Sequence, residues 1–105
     1  GEGAVMAGPY HPAFGEAVAA YIFYLMVCHY LEQVSRQTAS QLFIRHHPKD
    51  HSRLRGLSSN NLKKWREEFG IREFILKPDW HKQGEIAILS CGINYIINTA
   101  ILNNC

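Results

Sequence analysis

The sequence predicts an α+β domain, a small sheet of four or five strands packed by two main helices. Three observations lead there. A long apolar stretch keeps helical spacing from Gly15 to about Thr38. A second helical pattern opens after a pair of serines and closes on Gly70. Short β-prone runs stand between and after them, at Gln41–Arg45, Ile71–Lys77, Glu85–Ser90 and Ile93–Leu102, the last also compatible with a helix. The chain has 105 residues, which suits one domain, and its 47% apolar content supports a core without staples.

Residues 3–8 (GAVMAG) read as a short strand. The segment Gly8–Glu16 holds two prolines and two glycines, so it reads as a rigid turn or loop pinned by Tyr10 and Phe14. In the first helix Val18, Ile22, Leu25 and His29 form one stripe, and Ala19, Phe23, Met26 and Tyr30 form a second beside it. The apolar face is therefore wide, as for a helix laid on a sheet. After the strand Gln41–Arg45, Asp50 is placed to N-cap a short helical turn, His51–Arg55. Ser58 or Ser59 is placed to cap the second main helix, whose Leu62, Trp65 and Phe69 face inward. Gly70 then stands at its C-terminal end. The next two strands read as a hairpin with a long tip carrying Trp80, and the run from Ile93 completes the sheet or supplies an interface.

Net charge is +2, but its distribution is uneven. From Arg45 to Arg66 there are seven Lys/Arg and one acid, a segment of +6 that leaves −4 elsewhere. Such a concentration fits an anionic partner, or a solvated basic surface. Cys28, Cys91 and Cys105 are far apart and form no CxxC pair, which argues against a disulfide framework and a closed zinc site and favours a cytoplasmic setting. The opening GEGAVMAG lacks the basic start of a signal peptide, and it suits a domain cut from a longer chain. The longest apolar run, Ala17–Cys28, is too short to span a membrane.

Little here points to chemistry within the chain. His46 and His47 point to opposite faces of a strand, and no HExxH is present, so no metal site is expected. Cys28 lies in an apolar run, where cysteine behaves as a small hydrophobe. There is no Walker motif, no GxGxxG and no obvious acid/base pair of carboxylates, so no catalytic residue is assigned.

The stretch FIRHHPKDHSRLRGLSSNNLKKWREEFGIREFIL resembles the core of KH domains of RNA-binding proteins. Those carry a strand, a short helix, a Gly-x-x-Gly loop with basic residues, and a helix that ends in glycine. Here Gly56-Leu57-Ser58-Ser59 stands in the loop, Leu62 at the first apolar helix position and Gly70-Ile71 at the exit, within a KH-like segment of about 41–90. Ser59 replaces the second glycine, and Leu57 stands where basic residues are common. The resemblance implies RNA or polyanion binding at Arg53, Arg55, Gly56, Ser58, Ser59, Asn60, Lys63, Lys64 and Arg66. Backbone N–H groups of Ser58 and Ser59 would meet phosphate.

A second stretch, AGPYHPAFGE, is similar to C-terminal regions of radical-SAM proteins related to oxygen-independent coproporphyrinogen oxidase. That likeness implies an accessory domain whose parent chain holds the iron–sulfur cluster and S-adenosylmethionine, since CxxxCxxC is absent here. The competing reading of the whole chain is a docking or homodimerisation module that binds no nucleic acid.

Overall fold

The computed structural model describes residues 12–34, 41–90 and 92–100, with the side chains of 12–14 left out. The expected strand at 3–8, the end of the first helix at 35–38 and the last residues of the final strand lie outside this set. The elements are α1 (Pro12–Leu31), β1 (Gln41–His46), a 3₁₀ turn (Pro48–Asp50), α2 (His51–Arg55), a second turn (Leu57–Ser59), α3 (Asn60–Phe69), β2 (Glu73–Lys77), β3 (Glu85–Ser90) and β4 (Ile93–Asn98). The fold is α+β.

Helix α1 begins at Pro12, earlier than expected, so the proline-rich segment is helical from residue 12 onward. Its second stripe is the buried one: Phe23, Met26 and Tyr30 are in the core, joined by Val27 and Leu31. The first stripe is only half outward: Val18 and His29 are exposed, while Ile22 packs against the edge of the core.

The sheet order is β2-β1-β3-β4. β1 pairs parallel with β2, from Gln41 opposite Glu73 to Arg45 opposite Lys77. On its other side β1 pairs antiparallel with β3, and β3 pairs antiparallel with β4. The expected hairpin of β2 with β3 is therefore wrong, because β1 lies between them. Parallel partners need a crossover, and α2 with α3 provides it, carrying the chain back to the far edge of β1. The connection from β2 to β3 then passes the end of β1, where the Trp80 backbone N–H donates to the His46 carbonyl at 3.0 Å.

One face of the sheet carries Leu42, Ile44, Ile86, Ile88 and Ile97 into a single core with α1, Leu54, Leu62, Trp65 and Ile71. Trp65 is fully buried among them. Phe69 packs against the edge of this cluster. Gly70 is left-handed, and its N–H reaches the Arg66 carbonyl at 3.0 Å, which ends α3.

Candidate functional site

The turn between α2 and α3 is built around Asn61. This residue is 4% exposed, and its side-chain N–H₂ donates to the carbonyls of Ala20 at 2.9 Å, Leu54 at 3.1 Å and Arg53 at 3.4 Å. One amide thus joins all three helices. Gly56, at φ 82° and ψ 170°, makes this approach feasible. A Cβ there would lie 2.9 Å from Asn61 Cγ. The glycine is therefore demanded by the chain's own packing.

Ser58 and Ser59 follow, both left-handed, at φ 53° and φ 57°. Neither position supplies the expected cap. Ser59 occupies the N-cap position of α3 without a side-chain cap bond, and its hydroxyl accepts from Arg55 Nη2 at 2.8 Å. A left-handed backbone turns that hydroxyl away from the helix start. The Ser59 N–H, expected to face an anion, donates to the Gly56 carbonyl at 3.1 Å. The Asn60 N–H donates to Leu57. Asp50 likewise stands at the start of α2 without capping it. Its carboxylate accepts the Gly84 N–H at 2.8 Å and lies 3.6 Å from the Arg53 guanidinium.

Beside the turn is an open cleft of about 340 Å³, lined by Ala17, Ala20 and Tyr21 of α1, Leu57 and Ser58 of the turn, and Asn60, Asn61, Lys63 and Lys64 of α3. Its α1 wall follows from spacing: positions 17, 20 and 21 share one helix face, and alanine at the first two leaves room. Among the described residues, two lysines and no carboxylate line it.

The structure divides the nine sequence-predicted residues. Ser58, Asn60, Lys63 and Lys64 line the cleft. Gly56, Ser59 and Arg55 form and brace the turn. Arg53 points elsewhere, with Nε and Nη2 donating to Glu16 at 3.2 and 3.1 Å. The Arg66 guanidinium sits over the Phe74 ring, 5.4 Å from its centroid, toward β2. Charge alone could not separate these roles. Tyr21 and Asn61 were not singled out by sequence, because an apolar helix and one of two adjacent asparagines carry no motif, and Leu57 was named only as a departure from a basic loop.

The other sequence candidates take structural places. Trp80 is half-buried, and its indole N–H donates to Glu85 at 3.0 Å, so it is tied to the start of β3. Burial pushes the Cys28 thiol up from its ordinary value, which disfavours the thiolate. His46 is buried. Its Nδ1–H donates to the His47 carbonyl at 2.9 Å, so its Nε2 accepts from His51 Nδ1 at 3.1 Å. Among the described residues no group of three or more His, Cys, Asp or Glu is placed to hold a metal ion, and no helix is long and apolar enough to cross a membrane.

Comparison with known proteins found no matching family model, curated protein or solved structure, so nothing there identifies a KH-like or radical-SAM accessory domain.

Proposed function

We propose that the cleft between α1 and the Gly56–Asn61 turn binds the phosphate backbone of an RNA. The observation that carries this reading is the lining itself: Lys63 and Lys64 on one helical turn, facing a concave surface whose described residues include no carboxylate. The strand, helix, Gly-x-x-Ser, helix, strand order of residues 41–77 supports the KH-like comparison. The phosphate grip resides in the lysines rather than in the Ser59 and Asn60 N–H groups, which have internal acceptors. Each phosphate neutralised on a single strand lowers the salt slope of log K by about 0.7. Titration with a labelled RNA at several salt concentrations tests this. Wild type should bind at low salt, and a Lys63→Ala/Lys64→Ala variant should flatten the slope by about 1.4. Absence of binding at low salt refutes the proposal.

One observation favours the alternative of a self-association module. β4 is an edge strand of the described sheet, its sequence INYIIN has no charge or proline, and Ile93, Tyr95 and Ile96 are exposed. Charges and prolines are the usual guards of an edge strand. Sedimentation at rising concentration tests it: a dimer abolished by Ile96→Lys supports pairing through β4, and a monomer throughout removes it.

A further inference from the structure

Among the described residues one aromatic ring, Tyr21, lines the cleft. Tyr21 is 55% exposed, yet it is not a loose surface ring. It stacks on Tyr24 with centroids 6.0 Å apart and planes 20° apart, and Tyr24 stacks on Trp65 at 6.2 Å and 5°. Trp65 is fully buried and meets Phe74 at 5.9 Å. The ladder is thus anchored in the core and ends at an exposed rung. Tyr24, the middle rung, is fixed twice more: its hydroxyl donates to Glu68, and Lys64 Nζ lies 4.9 Å from its ring centroid. Leu57, 60% exposed, lines the same cleft from the turn.

This arrangement suits one kind of guest. The volume of about 340 Å³ is at the lower end of small-molecule sites, room for one nucleotide rather than a length of duplex. A flat aromatic guest extends the ladder and meets Leu57, while Lys63 and Lys64 are placed for its phosphates. A ring already held by stacking loses little freedom when the guest arrives. Bases in an A-form duplex are stacked on one another and closed to such a wall, whereas unpaired bases are open to it.

We propose that Tyr21 is a stacking platform for an unpaired nucleobase, so that the ligand is single-stranded nucleic acid held by one base and its flanking phosphates. This rests on the cleft binding a polyanion, and the test separates the two. The intact chain is titrated with single-stranded RNA, duplex RNA of equal length and heparin, which has charge and no bases. Wild type should prefer the single strand. Tyr21→Ala should weaken single-strand binding about 5–150-fold, the range of one base–aromatic stack. Its salt slope and heparin affinity should not change, since the lost contact is uncharged. Tyr21→Phe should retain affinity, and circular dichroism of both variants should match wild type. Equal affinity for duplex and single strand, or a Tyr21→Ala variant that binds RNA like wild type, overturns the platform and leaves the lysine cleft standing. Failure of heparin and both RNAs to bind at low salt overturns both.

Discussion

Replacing Gly56 with alanine places a Cβ 2.9 Å from Asn61 Cγ, 3.0 Å from Asn61 Oδ1 and 3.0 Å from the Asn61 backbone nitrogen. It also places a side chain at φ 82° and ψ 170°, a region held essentially by glycine. The backbone strain is worth roughly 1–3 kcal/mol, and overpacking adds roughly 1–3 kcal/mol. Asn61→Ala acts differently. It removes two good hydrogen bonds and a weaker third from a buried site, a loss of about 2–3 kcal/mol at about 1 kcal/mol per bond plus the stranded acceptors. Two of the three close contacts at Gly56 are with Asn61 side-chain atoms, which Asn61→Ala deletes. The double variant should therefore be more stable than the sum of the singles by about 1–2 kcal/mol, most of the overpacking share. Urea denaturation followed by far-ultraviolet circular dichroism gives all three values. If the effects add to within about 0.5 kcal/mol, Gly56 and Asn61 are not one packing unit, and the explanation of the glycine by internal packing fails.

Two further outcomes follow from the same geometry. Ser58 is left-handed at φ 53°, so Ser58→Gly should raise stability by about 0.5–1 kcal/mol, the relief of a strained L-residue less the entropy of glycine; a loss in urea denaturation would refute it. Burial holds the His46 imidazole below its ordinary range, partly opposed by the bond to the His47 carbonyl. As pH falls through about 6.5 the unfolded chain takes up a proton there that the folded chain resists. Stability should therefore be full above that value and decline below it, by up to about 1.4 kcal/mol per pH unit from this residue. His46→Gln should remove that part of the slope, and an unchanged slope would sink the assignment.

The legible parts of the fold were those set by local pattern. The stripe of Leu62, Trp65 and Phe69, the stop at Gly70 and the strand EIAILS were all readable, because spacing, a left-handed glycine and β-propensity act within a few residues. The pairing of β2 was not. Two β-prone runs separated by Pro78–Gly84 suggest a hairpin, but β1 accepts partners on both edges, and only packing of α2 and α3 decides which strand takes which edge. The burial of α1 was equally hidden. Its apolar residues surround the helix, so no period separated the stripe with Val18 from the one with Met26. The cleft was half visible. Lysines at 63 and 64 stood out by charge, while Tyr21 looked like one more apolar residue, and Arg53 looked available until Glu16, far away in sequence, was brought beside it.

The strand order has a consequence for how the chain reaches this state. β1, β3 and β4 are an antiparallel meander in space, and everything from His47 to Gly84 is a single excursion from it. β3 and β4 are joined by the two-residue link 91–92. Closing the long excursion is about 2.5 kcal/mol dearer in chain entropy than closing that link. The pair β3–β4 can therefore assemble early, whereas the pairing of β1 with β3 carries the cost of closing the excursion. Two hydrogen bonds sit at its neck, Trp80 N–H to the His46 carbonyl and Gly84 N–H to the Asp50 carboxylate. The turn, α3 and the lysine wall all lie within the loop that this neck fastens, so the cleft is built inside a segment whose two ends are tied by these two bonds.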